Sequence, residues 1–410
     1  MPQALPLTGI RVLELGAYIS GPYAGAILCA LGADVVKVEP PKGGDAFRRG
    51  MGSRSPYFAQ YNAGKRSIAI DLKRREGLDL VKALLPRFDV LIENSRPGKT
   101  ASLGLGADVC KAINPSLIYA SVSGFGDGGP LRDRAAYDSI GQSMSGFYSI
   151  MNDPGIPRLT GTCIADLLTA ITISSGILAA LVGRSRQPSQ EGSVVQTSLL
   201  EAMSSITVDA ITQMYEIGEA PTRQTRHPQA QNFCLLTASG DSITLHLSSS
   251  EKFWRALVKA MGREDLLQNH RYGRFADREA EYWSLKPIVE EEFKKRSRSE
   301  WEERLTAADV PFAPVLTVKE VAEHPQTEWL GLLEPERDGH TLLRPPWRFD
   351  GVRPERTFKT PRIGEHSLEV AAEVRTKAEV DRLVSSGVIA QAGEFDEASE
   401  APNVPMHVAV

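Results

Sequence analysis

One apolar segment constrains the fold of this 410-residue chain more than any other stretch. Between residues 163 and 182, the only ionisable side chain other than the Cys163 thiol is that of Asp166, and apolar side chains would cover nearly all sides of a helix. Such a helix is expected to be buried. Its length also fits a membrane span, but an Asp inside one costs about 2.5 to 3.5 kcal/mol, and several Ser and Thr residues weaken that interpretation. We predict a core helix and no membrane association.

Asp166 needs its own explanation, because a lone carboxylate is costly to bury unless it is paired. An acid in the first turn of a helix gains from the exposed N–H groups and from the helix dipole. In one interpretation Asp166 only stabilises the helix terminus. In the other it is an ionised, partly desolvated nucleophile or base. The residues alone leave both interpretations open.

Strands and helices alternate along the first third of the chain. Strand-like runs at residues 9–15, 34–38, 67–71, 89–93 and 117–121 are separated by helical patterns. This alternation predicts an α/β fold with a largely parallel, Rossmann-like sheet covered on both faces. The loops that follow the strands would gather at one edge, where open α/β sheets bind ligands.

The length of the chain favours two domains. We predict a large domain that begins with residues 1–224, including a helix at about 196–217, and a smaller α/β domain at 225–325. The smaller domain starts with a hairpin that turns at residues 238–241. Residues 326–410 include a helix opened by a capping box of Thr376 and Glu379, and a loose tail from about residue 393.

Several classes of function are disfavoured. A net charge of −4 argues against general nucleic-acid binding. Four cysteines without paired spacing suggest neither a metal site nor a disulfide framework, and the start of the chain does not read as a secretory signal, so we expect a cytoplasmic protein. Gly16, Gly21 and Gly25 do not have the spacing of a dinucleotide-binding loop, and no Walker, zinc or serine-hydrolase motif is present.

Basic residues lie near the predicted ligand edge. Arg96 directly follows a strand, and Pro97 with Gly98 forms a stiff turn that would fix its direction. Its guanidinium suits phosphate oxygens, and Asn94 could offer amide hydrogen bonds. This loop therefore favours a phosphate-bearing nucleotide. The other basic residues near these loops are Arg48, Arg49, Lys65, Arg66, Lys73 and Arg74.

Seven motifs, taken in order, resemble the class III coenzyme A transferases, the formyl-CoA and carnitine-CoA transferase family. They are GADVVKVEPPKGGD (32–45), NAGKRSIAIDLK (62–73), IENSRPG (92–98), SVSGFGDGGP (121–130), YDSIGQSMSG (137–146), Asp166 within ADLLTAITISSGILAAL, and VPFAPVLTVKEV (310–321). The resemblance implies that residues 326–410 complete the large domain and that two ring-shaped subunits form an interlocked homodimer. A heteromer is the alternative.

The resemblance also implies the site. Asp166 matches the family's nucleophile, and no metal or permanently bound cofactor is expected, since coenzyme A thioesters are substrates. The residues expected to contact coenzyme A are Ser20, Ile70, Asp71, Leu72, Lys73, Asn94, Ser95, Arg96, Tyr137 and Asp138.

This chain departs from the family pattern at three basic positions. Some members carry an arginine at Pro40, an arginine near Ser102 and Leu103, and a lysine at Ala135. We expect Lys99, Lys42 or Arg48 to compensate. The glycine-rich loop of formyl-CoA transferases has no counterpart near Gly240, which disfavours formyl or oxalate substrates.

The implied reaction moves coenzyme A from an acyl-CoA donor to a carboxylic acid through an aspartyl anhydride and an aspartyl-CoA thioester. Backbone N–H groups at the start of the Asp166 helix would stabilise the oxyanions. Succinyl-CoA and a second dicarboxylic acid are the expected substrates. Arg226, His227, Gln229 and Gln231 lie where the smaller domain begins, and two interpretations stay open for them: contact with the acceptor carboxylate, or ordinary surface placement.

Two other functions remain as alternatives. An α-methylacyl-CoA racemase shares the fold but uses a histidine where this chain has Tyr137, and a phenol with a pKa near ~10 is a poor base at neutral pH. A non-catalytic coenzyme A-binding subunit of a heteromeric transferase is the second alternative.

Overall fold

The protein was analysed as a computed structural model, which describes residues 5–187, 189–336, 339–354 and 359–393. The predicted loose tail therefore lies almost entirely outside the described residues. The chain forms two compact units. The first runs up to Phe147 and includes Leu159–Val208 and the chain from Trp329 onward; the second comprises Tyr148–Arg158 and Asp209–Glu328. The second unit thus begins earlier than the expected boundary at residue 225.

The strands are β1 (Arg11–Glu14), β2 (Asp34–Glu39), β3 (Arg66–Ile70), β4 (Val90–Glu93), β5 (Ile118–Ser123), β6 (Val194–Ser198), β7 (Asn232–Leu236), β8 (Ser242–His246), β9 (Phe312–Pro314) and β10 (Ile389–Ala390).

The helices are α1 (Ser20–Ala30), α2 (Pro56–Asn62), α3 (Arg75–Leu84), α4 (Lys99–Ser102), α5 (Ala107–Ile113), α6 (Asp138–Met144), α7 (Phe147–Met151), α8 (Ile164–Arg186), α9 (Leu199–Ser204), α10 (Val208–Ile217), α11 (Arg226–Ala230), α12 (Glu251–Met261), α13 (Asp265–Gln268), α14 (Phe275–Ala280), α15 (Tyr282–Phe293), α16 (Arg298–Ala307), α17 (Val318–Glu323), α18 (Pro325–Leu330), α19 (Ser367–Ala372) and α20 (Lys377–Ser385). Short 3₁₀ turns lie at Ala46–Arg48, Gly52–Arg54 and Leu85–Arg87.

The first unit contains a seven-stranded sheet in the order β10-β3-β2-β1-β4-β5-β6. All neighbours are parallel except β10, which runs antiparallel to β3. The predicted α/β class with a parallel-dominated sheet is confirmed. From β1, the chain first adds β2 and β3 on one side and then β4 and β5 on the other, so the strand order reverses between β1 and β4. Such a switch point leaves a crevice at the carboxyl ends of the strands.

The predicted helix at residues 196–217 is wrong in its first residues and in being continuous, although Leu199–Ser204 and Val208–Ile217 are helical. Val194–Ser198 instead forms the edge strand β6, which pairs with β5, and helices α9 and α10 follow it. The capping box of Thr376 and Glu379 is present at the start of α20.

Alternation along β1 divides the core between the two faces of the sheet. Val12 packs with Ile27 of α1 and with Ile173 and Ile177 of α8. Leu13 faces the other way, into a cluster formed with α3, α5 and the C-terminal helices α19 and α20. Both faces are thus covered by helices, as a parallel sheet requires.

Helix α8 is the long apolar helix that the sequence predicts, and it is the one helix in the described part of the chain whose length and composition fit a membrane span. Thr169, Ser174 and Ile177 are buried in the first unit. The sequence predicts that this helix is buried on nearly all sides, and that prediction is wrong for the single chain. Ile171 is 48% exposed and Val182 is 50% exposed. One face of α8 packs on the core, and the opposite face is apolar and open.

A buried ion network of Glu14, Lys37, Asp45 and Lys65 joins β1 to β2 and to the chain before β3. The Glu14 carboxylate lies 2.9 Å from Lys37 Nζ and 2.7 Å from Lys65 Nζ, and Lys37 also lies 2.9 Å from Asp45 Oδ2. Burial alone would lower the pKa of Lys37, but the facing carboxylates raise it above its ordinary range. Every charge in this network has an opposite charge beside it, as buried ions require.

In the second unit, the predicted hairpin forms as β7 and β8, and β9 adds a third antiparallel strand. One face of this sheet packs against helices through Trp254, Leu257 and Leu285. Phe293 and Trp301 stack with their ring centroids 4.1 Å apart. The unit therefore has a hydrophobic core of its own.

Gly25 tests the importance of the buried ion network. It lies inside α1, where an added Cβ would overlap the Glu14 carboxylate. We expect Gly25→Ala to lower the free energy of unfolding by about 3 to 5 kcal/mol, because it displaces a carboxylate that two buried lysines share. Denaturant unfolding provides the measurement. Gly183→Ala in α8 is the matched control: its Cβ would meet nothing within 4 Å, and a gain of about 0.5 to 1 kcal/mol is expected. Equal effects of the two substitutions would contradict the assigned role of Glu14.

Candidate active site

One cavity of about 1160 Å³ lies at the switch point of the large sheet. The loops that follow β1, β2, β3, β4 and β5 all contribute to its lining. The residues predicted as the site all line this cavity: Ser20, Ile70, Asp71, Leu72, Lys73, Asn94, Ser95, Arg96, Tyr137, Asp138 and Asp166. The fold therefore brings the whole predicted set together.

The loop between β1 and α1 is held by Asn94 from across the switch point. Asn94 Oδ1 accepts a hydrogen bond from the Ala17 N–H at 2.9 Å, and its Nδ2 donates to the Ala17 carbonyl at 2.8 Å and to Ser20 Oγ at 3.1 Å. Gly21 allows this close approach, because a Cβ there would lie 3.1 Å from Asn94 Cγ. Asn94 thus braces the loop, although the sequence suggested that its amide would serve the ligand.

Asp166 lies in the first turn of α8, and Asp138 from α6 caps that turn. Asp138 Oδ1 accepts hydrogen bonds from the N–H groups of Ala165 at 2.8 Å and Asp166 at 3.3 Å. The buried Gln142 donates to the other oxygen of Asp138. The N–H groups that were expected to stabilise an oxyanion are therefore already bound at these two positions. Their partner is a carboxylate 27 and 28 residues earlier in the chain.

The environment of Asp166 disfavours its charged form. Burial raises its pKa to about 7, and the negative charge of Asp138 contributes further. Within the described residues, no side chain donates a hydrogen bond to the Asp166 carboxylate. Tyr61 and Cys163 lie beside it, and burial raises the pKa of both groups. Asp166 is therefore a weakly solvated carboxylate that faces a cavity.

Five exposed basic residues line the cavity. Lys99, one of the expected compensating residues, is among them, whereas Lys42 is not. Arg48 is the wrong choice: its guanidinium is buried and bound through two nitrogens, each 2.7 Å from a Glu39 oxygen. The five are Arg49, Lys73, Arg96, Lys99 and Arg134.

Arg134 was missed by the sequence analysis. It directly precedes Ala135, the position at which some family members carry a lysine, so the signal was a basic residue shifted by one position. Three other basic residues near the loops are bound elsewhere: Lys65 to Glu14, Arg66 to Asp34 and Arg74 to Glu76.

The residues suggested for an acceptor lie in the second unit. Arg226, His227 and Gln229 belong to α11, and Gln231 follows it as a buried residue with a φ of 48°. Burial lowers the pKa of His227. None of the four lines the cavity described above.

Comparisons with known proteins agree on one family. The family model for CoA-transferase family III matches residues 7–367. The chain is 35% identical to a succinate–glutarate CoA-transferase of Agrobacterium fabrum, over 90% of this chain and 96% of that protein. It is 32% identical to the beta subunit of a succinyl-CoA–L-malate CoA-transferase of Chloroflexus aurantiacus, over 90% of this chain and 94% of that subunit. A crystal structure of a CAIB/BAIF family protein from Brucella suis is similar, with a TM-score of 0.80 and 32% identity. The match covers 91% of this chain and 100% of that one.

The raised pKa of Asp166 predicts a pH-dependent cost to stability. The ordinary pKa of an aspartate is 3.8, and that of Asp166 in the folded protein is about 7. At a pH between these two values, the folded protein keeps a proton that the unfolded chain loses. The stability of the wild type should therefore fall as pH rises through this window and level off above it. We expect Asp166→Asn to raise the free energy of unfolding by about 1 to 3 kcal/mol at pH 8 and by less at pH 5.

Denaturant unfolding at the two pH values checks this expectation. Asp108→Asn is the matched control, since Asp108 is an exposed acid in the first turn of α5. The control should show no comparable gain. A gain from Asp166→Asn that is the same at pH 5 and pH 8 would contradict the assigned environment.

Proposed function

The chain belongs to CoA-transferase family III, and we propose that this CoA-transferase acts through covalent intermediates on Asp166. One observation carries the proposal. Asp166 is a partly buried acid with a pKa raised to about 7, and it shares one cavity with all ten residues that are expected to contact coenzyme A.

The proposed reaction begins when the Asp166 carboxylate attacks the thioester carbonyl of the donor. A mixed anhydride forms, and coenzyme A leaves as its thiolate. The thiolate then attacks the aspartyl carbonyl, which releases the donor acid and leaves an enzyme thioester. The acceptor carboxylate attacks this thioester, which expels the coenzyme A thiolate and forms a second anhydride. The thiolate then attacks the acceptor's carbonyl in that anhydride, which forms the product acyl-CoA and frees the Asp166 carboxylate. Each step makes one acyl bond and breaks one, with no net proton transfer.

Weak solvation of Asp166 supports this role. A carboxylate is a poor nucleophile in water, and a site that withholds hydrogen bonds from it spares the cost of removing them. Asp138 holds the first turn of α8, which fixes the position from which Asp166 reacts. Correct positioning is worth several kcal/mol in reactions of this kind.

We propose succinyl-CoA as the donor and a second dicarboxylic acid as the acceptor. The support comes from relatives, whose names give succinate, glutarate and L-malate, all of them dicarboxylic acids. The cavity adds five exposed cations, which suit both coenzyme A phosphates and a further carboxylate.

We also propose the interlocked homodimer. The open apolar face of α8, at Ile171 and Val182, needs a cover, and α10 exposes Val208 and Ile217 as well. A beta subunit among the relatives makes a heteromer the alternative.

The catalytic proposal predicts that Asp166→Ala loses CoA transfer, falling by at least about 10³-fold in kcat, while its fold is retained. Hydroxylamine added during wild-type turnover should leave a hydroxamate on Asp166, detected by mass spectrometry. Asp133→Ala changes an exposed acid outside the cavity and should keep full activity. Transfer by Asp166→Ala, or exchange of an α-proton without any hydroxamate, would reject the proposal, and the second result would favour a racemase.

The assembly proposal predicts a particle of twice the 44.7 kDa chain mass in light scattering. Ile171→Glu should disrupt that particle, because it places a charge on the apolar face, whereas Ile171→Ala should leave it intact. An active particle of single-chain mass would contradict the dimer, and activity that requires a second kind of chain would favour the heteromer.

A further inference from the structure

The five exposed cations of the cavity lack carboxylate partners in the part of the chain that the structure describes. Most other buried or half-buried cations of the first unit are paired; Arg48 binds Glu39 and Arg184 binds Asp89. Unpaired basic side chains gathered in one cavity favour anionic ligands. Coenzyme A brings phosphates, and a dicarboxylic acyl group brings one more anion.

The five cations lie on both sides of the switch point, because β2 and β3 lie on one side of β1 whereas β4 and β5 lie on the other. Lys73 follows β3, Arg96 and Lys99 follow β4, and Arg134 follows β5. Arg49 follows β2 and the short turn Ala46–Arg48, on the same side of β1 as Lys73.

Arg49 is exposed and lines the cavity, whereas its neighbour Arg48 is buried. Arg48 is buried against Glu39 and over the Phe58 ring. Arg49 has a φ of 48°, and its guanidinium lies 4.3 Å from the Tyr57 ring centroid and 5.3 Å from that of Phe47. Stacking on two rings restricts a guanidinium without using its N–H donors.

The same aromatic group connects Arg49 to the side of the cavity that holds Asp166. The Phe47 ring, which lines the cavity, stacks on Tyr61 with centroids 6.2 Å apart. Phe47 also meets Tyr18, which meets Tyr137. Arg49, Asp166 and the rings of Tyr18, Phe47 and Tyr137 thus all line one cavity.

We propose, on the basis of the CoA transfer proposed above, that Arg49 binds the distal carboxylate of a dicarboxylic acyl group while its other carboxyl group reacts at Asp166. The planar guanidinium can donate two parallel hydrogen bonds to a carboxylate. The methylene groups between the two carboxyl groups would pack against aromatic rings that line the cavity, such as Phe47. Arg49 therefore selects dicarboxylic over monocarboxylic substrates, as a specificity residue rather than a catalytic one.

The kinetic test compares succinyl-CoA with butyryl-CoA as donors for the wild type, Arg49→Gln and Arg49→Lys. In a double-displacement reaction, kcat/KM for the donor reports only the half-reaction in which the donor takes part. We expect Arg49→Gln to lower kcat/KM for succinyl-CoA by about 10- to 100-fold, the worth of a charge-assisted pair. The value for butyryl-CoA should stay within about twofold. Arg49→Lys keeps the charge and loses the fork, so its loss should be intermediate.

Arg54→Gln is the matched control, since Arg54 is an exposed arginine in the next turn and does not line the cavity. Arg54→Gln should leave kcat/KM unchanged for both donors. Equal losses for both donors in Arg49→Gln would assign Arg49 to coenzyme A and overturn the proposal, as would no loss for either donor.

A binding experiment separates this proposal from the proposed function. Calorimetry on the protein with saturating coenzyme A compares glutarate with pentanoate and needs no turnover. We expect Arg49→Gln to weaken glutarate binding about tenfold or more and to leave pentanoate unchanged. A wild type that transfers no CoA would reject the proposed function, and the glutarate result would still decide the role of Arg49. Equal binding of glutarate by the wild type and Arg49→Gln would overturn the inference.

Discussion

The geometry of the site depends on the buried ion pairs of the Glu14 carboxylate. This carboxylate lies at the end of β1, beside the switch point, and binds Lys37 of β2 and Lys65 before β3. Lys37 also binds the Gly16 carbonyl and Asp45, whose Oδ1 accepts the N–H groups of Tyr18 and Phe47. Buried ion pairs are weak evidence for stability, because desolvation offsets much of their attraction. Here they fix the first loop and the segment before Arg49, so their effect is on the shape of the cavity.

The sequence predicted which residues share the cavity better than it predicted their individual contacts. Parallel strands place their carboxyl ends at one edge, so correct strand assignments were enough to bring Lys73 and Arg96 into one cavity. Asp166, in the first turn of α8, was assigned to the same site only by the family motif. The direction of each side chain was beyond reach. Arg48 and Arg49 are adjacent and identical in type, yet one is buried against Glu39 and the other lines the cavity. That difference comes from a 3₁₀ turn and from a partner on β2.

The remaining errors also come from long-range contacts. The strand β6 has no hairpin partner in sequence and forms only because β5 offers it an edge. The role of Asn94 depends on the backbone of Ala17, 77 residues earlier. Local patterns identified the capping box of Thr376 and Glu379, because all of its atoms lie within one turn. Features were predictable where the stabilising groups were neighbours in sequence, or where the family motif named the residue.

Asp138 connects the start of α8 to the protonation of Asp166. Its Oδ1 binds the two N–H groups at the start of the helix, and its charge adds to the burial that raises the pKa of Asp166. An acid that caps a helix gains from the dipole, while a second acid in the same turn meets both that dipole and the charge of the first. Removing Asp138 would relieve the repulsion and also release the turn that positions Asp166. The start of α8 and the pKa of the Asp166 carboxylate therefore depend on the same side chain.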